Sequence, residues 1–315
     1  MKVLVIGLGA LGTVYSCFLS LAGHKVTGVG RPAAINKIRR DGVKVTGIWG
    51  EHRAELNCVI SEISELDRDQ FDMIIVTVKS FSTEEIAQDI SRFVGEKTHV
   101  FLLQNGYGNF ESAANYISED KILLGRVIFG AELVAAGESM VTVIADDVVL
   151  GSPKNLISYE LLEEYAVIFN KAGIPTKASH EIMKYIWGKI IYNSALNSLG
   201  AIFEVSYGQL AEEPFTRDLI NKIIREIFNV LAARHIETFW PDAQSYLENF
   251  YDNLIPPTSA HHASMLQDIQ SGRRTEIEYL NGAVVKLARE SGIPVPVNEV
   301  IVSMVMAKEH FNYQR

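Results

Sequence analysis

The chain has 315 residues, of which 48% are hydrophobic and 21% are charged. This length exceeds one ordinary mixed domain, so two domains are expected, and the composition excludes a disordered or fibrous chain. The net charge of −9 argues against a nucleic-acid binder and against a polybasic membrane-surface protein, because both need a basic face. We therefore expect neither a nucleic acid nor a membrane as a partner.

The chain has no feature that points to secretion or to membrane insertion. No apolar run approaches the roughly 18 residues that span a bilayer, and the amino terminus lacks a signal-peptide pattern. The two cysteines, Cys17 and Cys58, provide no disulfide framework and are interpreted as small core residues. The expected protein is a cytoplasmic enzyme.

Short apolar runs alternate with segments of helical length through the first half. The runs are Val3–Ile6, Val26–Val29, Met73–Val78 and Val100–Leu103, and the helical segments are Leu11–Leu21, Ala33–Arg40, Thr83–Phe93 and Asn109–Ile117. Strands covered on both faces by helices have this pattern, so it predicts an α/β domain with a Rossmann-type, doubly wound parallel sheet. Two hairpin-like stretches, Val43–Ile48 with Ala54–Ile60 and Val127–Val134 with Ser139–Ile144, predict an antiparallel extension at one edge.

The pattern changes in the second half. From about Ser152 the strand signals fade, and apolar residues recur at three- and four-residue spacing, as at Leu219, Ile223, Ile227 and Leu231. We place the boundary after Gly173-Ile174-Pro175 and predict an α/β domain over 1–176 and an all-α carboxyl-terminal domain over 177–315. The apolar stripes fit a dimer surface as well as a core, so a homodimer stays open.

A glycine-rich turn follows the first predicted strand. It consists of Gly7, Leu8, Gly9, Ala10, Leu11 and Gly12. The pattern G-x-G-x-x-G is weak alone, but here it lies between a strand and an apolar helix, as in dinucleotide-binding domains. Gly7 permits a tight turn, Gly9 lets the backbone approach a pyrophosphate, and Gly12 lets helix and strand pack closely. The alternative is a tight turn with no ligand.

Three later strand ends point to the same edge of the sheet. The second strand ends in Gly28-Val29-Gly30-Arg31, and a guanidinium where NAD sites carry a carboxylate favours a 2′-phosphate, hence NADPH. Lys79 and Asn105 follow the next two strands, so their position favours contact with cofactor or substrate. The alternatives are that Arg31 is an ordinary surface cation and that Lys79 is a solvated loop residue.

One helix of the second half carries polar residues at regular spacing. Lys189, Asn193 and Asn197 lie at i, i+4 and i+8 and therefore share one face, here called the Lys–Asn face. Asparagine is a poor interior helix residue, and burying its amide unpaired costs free energy. The face therefore favours a ligand site, and its alternative is the solvated stripe of an amphipathic helix.

A second polar cluster follows near residue 270. Ser264-Met265-Leu266-Gln267-Asp268 precedes Gly272, which we expect to end a helix. Thr275 and Glu278 then predict a capping box, with Glu276 in the first turn of the next helix. A purely structural carboxylate would have the same position. No histidine cluster has metal-ligand spacing, so we expect no metal.

Together these residues resemble the ketopantoate reductase (2-dehydropantoate 2-reductase) family. The matching elements are the glycine turn, Arg31, Lys79, Gln104-Asn105-Gly106, the Lys–Asn face, Ser264-Met265-Leu266-Gln267-Asp268, and the run Thr275-Glu276-Ile277-Glu278-Tyr279-Leu280-Asn281-Gly282. They occur in family order over most of the chain. The glycine turn is shared by many dehydrogenases, whereas the second-half motifs are much more specific.

The resemblance implies reduction of ketopantoate to pantoate with NADPH, on the way to pantothenate and coenzyme A, in a cleft between the two domains. By similarity, Lys189 is the general acid and Glu276 orients the substrate and the lysine. Asn193, Asn197 and Ser264 would bind the substrate by hydrogen bonds. Lys79 and Asn105 would border the cofactor and the reacting carbonyl.

One segment departs from the family pattern. Family members often carry a further substrate-binding asparagine where this chain has Ser206 and Tyr207. Tyr207 would either donate a hydroxyl in its place or narrow the pocket. A relative that reduces another 2-oxo acid therefore stays an alternative. A separate alternative is a non-catalytic NADP(H)-binding sensor that kept the Rossmann domain and lost the chemistry.

Overall fold

The computed structural model describes residues 1–66 and 70–313. The chain divides into two compact units. The first contains residues Met1–Gln104 and Asn109–Ile182, and the second contains Asn105–Gly108 and Met183–Arg315.

The first unit is an α/β unit with twelve strands and five α-helices among its described residues. Its strands are β1 (Lys2–Ile6), β2 (Lys25–Val29), β3 (Val43–Gly47), β4 (His52–Ala54), β5 (Cys58–Ile60), β6 (Met73–Val76), β7 (His99–Leu102), β8 (Ile122–Arg126), β9 (Phe129–Ala135), β10 (Glu138–Ile144), β11 (Val148–Gly151) and β12 (Thr176–Ala178). Its helices are α1 (Ala10–Leu21), α2 (Pro32–Asp41), α3 (Thr83–Ile90), α4 (Asn109–Ala114) and α5 (Tyr159–Lys171).

Eight of these strands form the main sheet, in the order β12-β11-β8-β7-β6-β1-β2-β5. The strands from β8 to β5 are parallel, and β11 joins β8 antiparallel. Strands β6, β7 and β8 are buried along their whole length, which is why β6 and the last three residues of β7 are apolar in sequence. Strand β8 was not predicted, and it ends in the buried Arg126. The Rossmann-type doubly wound sheet predicted from the sequence is confirmed.

The predicted antiparallel extension of this sheet is wrong. Strands β4, β3, β10 and β9 form a separate four-stranded sheet, in which β3 pairs with β10 in parallel. Helix α1 packs against β1 and β2 of the main sheet and against all four strands of the small one. Because α1 is covered on two sides, it is buried continuously from Gly12 to Leu19. Local hairpin signals cannot reveal a pairing between segments so distant in sequence.

The cysteine prediction is half right. Cys17 on α1 is buried, and burial raises the pKa of its thiol to about 11. Cys58 begins the edge strand β5 and is exposed. An edge strand has a neighbouring strand on one side only, so burial along β5 is incomplete and begins at Val59.

The second unit consists of helices and turns over its described residues. The helices are α6 (Ile182–Phe203), α7 (Tyr207–Glu212), α8 (Pro214–Ala233), α9 (Ala243–Asn249), α10 (Ser264–Gln270), α11 (Asn281–Ser291) and α12 (Pro296–Tyr313). The apolar stripe of α8 faces the core, with Ile223, Ile227 and Leu231 buried. The predicted all-α carboxyl-terminal domain is confirmed.

The two units meet later in the chain than the predicted boundary of 176/177. Thr176–Ala178 forms β12, which pairs with β11 at the edge of the main sheet. The first unit therefore extends to Ile182, and only the four residues 105–108 of the amino-terminal half group with the helices. A three-residue strand after Gly173-Ile174-Pro175 is too short for its pattern to be recognised.

Candidate active site

The main sheet has a topological switch point between β1 and β6. From β1 the chain order proceeds outward through β2 and β5 on one side, and through β6, β7 and β8 on the other. Ligands of open α/β sheets bind at the carboxyl ends of strands where this order reverses. Gly7 follows β1 and Lys79 comes shortly after β6, so both lie at this edge, and Lys79 is half-buried.

The glycine turn is closely packed on the neighbouring strand end. Gly7 has a φ of +100°, which favours glycine. A Cβ on Gly12 would lie 2.0 Å from the carbonyl oxygen of Gly7 and 2.7 Å from Oγ1 of Thr77. That hydroxyl donates to the carbonyl oxygens of Ile6 and Gly7. Gly12 is therefore needed for close packing, as predicted.

The amino terminus of α1 is open where a ligand would approach. Gly9 is the N-cap residue, no side chain caps the helix, and a Cβ built on Gly9 would meet no heavy atom within 4 Å. The first N–H groups of a helix have no intrahelical acceptor. Gly9, Ala10 and Leu11 are all partly accessible. This combination suits the pyrophosphate of a dinucleotide.

The turn also fixes the end of β2. Leu8 is buried, and its Cδ1 lies 2.9 Å from the position that a Cβ on Gly28 would take. Gly28 is thus a packing residue that the motif alone does not reveal. Arg31 follows directly, as the exposed N-cap residue of α2 with extended backbone. Its side chain is therefore at the surface beside the carboxyl end of β2, where the sequence predicts a cofactor contact.

In the second unit, the Lys–Asn face lies near the middle of the 22-residue helix α6. Lys189 is half-buried, and Asn193 and Asn197 are 8% and 6% exposed. The alternative of a solvated stripe is therefore wrong for the two asparagines. The Lys–Asn face is therefore a polar surface of which only a small part is accessible.

Asn193 differs from Asn197 in its contacts. Its side chain makes no hydrogen bond with any residue of the described chain. Its amide atoms are not among the fully buried polar atoms that lack a partner, so the amide of this mostly buried residue stays accessible. An unpaired amide next to Lys189 on one face is what a site that binds a polar ligand requires.

Asn197 differs, because its amide already has partners. Its Oδ1 accepts the backbone N–H of Met265 at 3.2 Å and the hydroxyl of Tyr207 at 3.5 Å. It also exchanges hydrogen bonds with Ser264 Oγ at 3.3 Å. Ser264 begins α10 and is exposed. Asn197 therefore holds Ser264 at the end of the Lys–Asn face.

The tyrosine hydroxyls near this face are neutral at ordinary pH. Burial raises the pKa of Tyr192 to about 12, although a hydrogen bond with Thr258 acts in the opposite direction. Burial likewise raises the pKa of Tyr207, whose ring contacts Tyr192 edge to face. Tyr207 therefore acts as a neutral donor to Asn197.

The capping box predicted at Thr275 and Glu278 is wrong. Residues Ile277–Tyr279 form a single 3₁₀ turn whose N-cap residue is Glu276, with no side-chain cap, and α11 begins only at Asn281. Thr275 Oγ1 accepts the N–H of Ile277 at 3.3 Å, but the box does not close, because the N–H of Thr275 donates to Glu309 at 2.7 Å and the carboxylate of Glu278 pairs with Arg274. Glu276 is only 8% exposed, so this carboxylate is held in the interior before the turn.

The loop after β7 belongs to the second unit. The N–H of Tyr107 donates to the carbonyl oxygen of Tyr279 at 2.9 Å. The ring centroid of Tyr107 lies 5.1 Å from that of Trp187 on α6. Gly106 has a φ of +90°, and a Cβ there would lie 2.4 Å from the same carbonyl oxygen. Asn105, which precedes it, is therefore fixed beside the segment that carries Glu276.

Each predicted substrate residue thus lies in the second unit, and each predicted cofactor residue except Asn105 lies in the first. Sequence reasoning missed Tyr107 and Tyr279, whose contact is made by backbone atoms and leaves no residue-type signal. Within the described ranges, no three His, Cys, Asp or Glu side chains group as metal ligands would. The absence of a metal stays a prediction. In the same ranges, no helix is both long and apolar enough to cross a membrane.

A doubly wound sheet with a glycine turn, followed by a helical unit with the Lys–Asn face, defines a class of two-unit oxidoreductases. Two family models match the chain: "Ketopantoate reductase PanE/ApbA" over residues 3–155 and "Ketopantoate reductase PanE/ApbA C terminal" over residues 181–309. The chain belongs to the ketopantoate reductase family.

Individual relatives agree with this assignment. A 2-dehydropantoate 2-reductase of Aquifex aeolicus is 45% identical over 99% of this chain and 98% of its own length. One of Archaeoglobus fulgidus is 31% identical over 98% of each chain.

Two solved structures are similar over nearly their full length. A PanE/ApbA family ketopantoate reductase from Ralstonia eutropha has a TM-score of 0.87 at 25% identity, with all of both chains covered. A ternary complex of D-mandelate dehydrogenase with NADH and anilino(oxo)acetate has a TM-score of 0.88 at 26% identity, covering 99% of each chain.

Proposed function

We propose that this chain reduces ketopantoate (2-dehydropantoate) to (R)-pantoate with NADPH, as a step of pantothenate and coenzyme A biosynthesis. The observation that carries the proposal is the accessible amide of the mostly buried Asn193, which has no partner in the described chain and lies on the same helix face as Lys189. The names of the full-length relatives support the same reaction. A cytoplasmic location is part of this proposal.

In this proposal the first unit binds the cofactor. The open amino terminus of α1 and the glycine turn would hold the pyrophosphate, and Lys79 would lie at the switch point beside them. Arg31 would pair with the 2′-phosphate, which favours NADPH over NADH. When bound, the nicotinamide supplies a hydride. A similar structure contains NADH, so the preference for the phosphorylated cofactor rests on Arg31.

The second unit would bind the 2-oxo acid and supply the proton. Hydride addition to the keto carbon leaves negative charge on its oxygen, and a nearby ammonium stabilises that charge. A lysine amine is protonated at neutral pH. Lys189 would therefore donate a proton from Nζ to that oxygen and form the hydroxyl group of pantoate.

The other predicted residues would position the substrate. Asn193 offers an unpaired amide, and Asn197 holds Ser264 so that its hydroxyl reaches the same ligand. The buried carboxylate of Glu276 would orient the substrate and Lys189, and Asn105 would border both the cofactor and the reacting carbonyl. Each of these groups binds or orients, and no metal takes part.

A second candidate is a relative that reduces a bulkier 2-oxo acid. Tyr207 favours it, because a buried aromatic ring, in contact with Tyr192 and His261, occupies the segment where family members often carry an asparagine. In this candidate the ring would take the place of a polar side chain, so the substrate would meet fewer hydrogen-bonding groups there.

The test is a steady-state assay that follows oxidation of the reduced cofactor. The purified chain is given NADPH or NADH together with ketopantoate, phenylglyoxylate or a branched 2-oxo acid. The highest kcat/KM is expected for NADPH with ketopantoate. A clear preference for phenylglyoxylate would support the second candidate. Tight NADPH binding without turnover of any 2-oxo acid would contradict both candidates and support a sensor.

A further inference from the structure

A buried asparagine connects helix α6 with the segment that carries Glu276. Asn281 is the first residue of α11 and has no exposed surface. Its Oδ1 accepts the hydroxyl of Ser198 at 2.6 Å, and its Nδ2 donates to the carbonyl oxygen of Ser194 at 3.0 Å. Nδ2 also donates to Oδ1 of Asn298 at 3.0 Å. A single amide thus has three partners on two other helices.

The two contacts on α6 are one helical turn apart. Ser194 follows Asn193 directly, and Ser198 follows Asn197. A single hydrogen bond would let a helix rotate about its contact point, whereas two bonds at i and i+4 fix both the rotation and the axial position. The two bonds of Asn281 therefore constrain the direction in which the Lys–Asn face points.

The opposite side of Asn281 is anchored to the rest of the helical unit. Asn298, on the first turn of α12, is also fully buried and donates from Nδ2 to Glu226 of α8 at 2.8 Å. The same carboxylate accepts the backbone N–H groups of Val297 and Asn298, each at 3.0 Å. The hydrogen-bonded chain Ser198–Asn281–Asn298–Glu226 thus spans four helices, and we call it the asparagine network.

We propose that Asn281 is a positioning residue, which holds Lys189 and Asn193 in register with Glu276. The proposal rests on the proposed function for the roles of those three groups. Asn281 is suited to this task because it lies two residues after Tyr279, the residue that also fixes the loop of Asn105. One side chain therefore sets the relative placement of three parts of the site: helix α6 with Lys189, the segment with Glu276, and the loop with Asn105.

An apolar side chain could fill the same buried volume without these bonds. Burying polar groups costs free energy unless each has a partner, and in some proteins such groups specify one arrangement rather than add stability. The described bonds of Asn281 have directional geometry that apolar packing lacks. We therefore explain the network by its effect on the position of α6 relative to the segment of Glu276. A reaction that depends on the exact placement of a proton donor requires such a fixed position.

The test compares Asn281→Ala and Ser198→Ala with Thr216→Val. Thr216 is also buried in the second unit, and its hydroxyl donates to the carbonyl oxygens of Leu210 and Glu213, outside the asparagine network. All three substitutions remove a buried hydrogen-bonding group. Each variant is measured for melting temperature, NADPH affinity, and kcat and KM with the best 2-oxo acid of the parent protein. Amide hydrogen exchange is measured for residues 189–197 and for residues 159–171 of α5.

If Asn281 positions the site, its replacement should lower kcat by more than the accompanying loss of protein stability can explain. We expect kcat to fall about tenfold or more in Asn281→Ala and by a smaller factor in Ser198→Ala, because small displacements of reacting groups are costly. NADPH affinity is expected to stay unchanged. Thr216→Val is expected to lower the melting temperature to a similar extent while keeping the parent kcat.

Hydrogen exchange separates this proposal from the proposed function. In the network variants, exchange of residues 189–197 is expected to accelerate more than that of residues 159–171, which lie outside the network on α5, whether or not the parent reduces ketopantoate. Equal acceleration of both segments, or an unchanged kcat in both network variants, would overturn the positioning role. If Asn281→Ala yields no folded protein, Ser198→Ala supports the same comparison alone.

Discussion

The side-chain oxygen of Asn197 accepts the backbone N–H of Met265 at 3.2 Å, and so joins α6 to the first turn of α10. Asn193, one turn earlier on the same face, has no such partner in the described chain. Two residues of the same type, spacing and burial therefore have different roles. Asn197 completes the structure of the site, and Asn193 is available to a ligand.

This difference predicts opposite effects of two alanine substitutions. Asn197→Ala should lower the free energy of unfolding by about 1–3 kcal/mol, because it leaves buried hydrogen-bonding groups without a partner. Asn193→Ala should leave that free energy nearly unchanged but raise KM for the 2-oxo acid about tenfold, since a lost substrate hydrogen bond is worth about 1.5 kcal/mol. Denaturant titration and steady-state kinetics measure both quantities. Equal destabilisation by the two substitutions would contradict the assignment.

Replacement of Lys189 should affect chemistry rather than cofactor binding. Lys189→Ala should lower kcat by about 10²-fold or more, because it removes the proton donor, while the Kd for NADPH stays near that of the parent. Lys184→Ala is the matched control, since Lys184 lies on the same helix and pairs with Glu237. Turnover that survives in Lys189→Ala would assign the acid role to another group.

Arg31 should set the cofactor preference. Arg31→Ala is expected to raise KM for NADPH about tenfold, because a charge-assisted hydrogen bond to phosphate contributes about 1.5–3 kcal/mol, and to leave KM for NADH unchanged. Arg40→Ala is a suitable control, since Arg40 lies on the same helix and pairs with Asp41. An equal rise in KM for NADPH and for NADH would show that Arg31 does not contact the 2′-phosphate.

Two glycines of the turn should respond differently to an added methyl group. In Gly12→Ala the new Cβ would overlap the carbonyl oxygen of Gly7, so the melting temperature should fall. In Gly9→Ala the Cβ meets no protein atom within 4 Å, so stability should persist while NADPH affinity falls. Thermal melting and a fluorescence titration with NADPH distinguish these outcomes. Unchanged affinity in Gly9→Ala would place the pyrophosphate elsewhere.

His99 should make stability depend on pH. Burial, together with repulsion from Lys121, lowers the pKa of its imidazole below the ordinary value of 6.5, and Nδ1 pairs with Tyr165 at 2.8 Å. The folded chain thus keeps His99 neutral at a pH where the unfolded chain binds a proton. Its contribution to stability is complete above about pH 6.5 and is lost as pH falls through the lower folded pKa.

Denaturant unfolding between pH 7 and pH 5 tests this dependence. The slope of the unfolding free energy with pH should be smaller in His99→Asn than in the parent. His235→Asn is the control, because His235 is exposed and already has a positive φ that asparagine tolerates. The same slope in His99→Asn and the parent would contradict the role of His99.

The sequence predicted what short-range patterns encode. Apolar runs predicted the central strands, and the spacing of Lys189, Asn193 and Asn197 predicted one helix face. It failed where distant segments decide the outcome. The pairing of β3 with β10 has no local signal, and Asn193 and Asn197 look alike until Met265 and Tyr207 are placed in space. Asn281 was visible only as part of a family motif.

The separate small sheet also has a consequence for synthesis on the ribosome. Strand β3 is made early, but its parallel partner β10 ends at Ile144. Until that residue has left the exit tunnel, α1 lacks part of the cover that keeps its apolar outer side from water. The apolar side of α1 therefore stays partly uncovered for about a hundred residues of elongation, roughly 5–20 seconds at ~5–20 residues per second. During that interval the amino-terminal segment is the part of the nascent chain most exposed to aggregation.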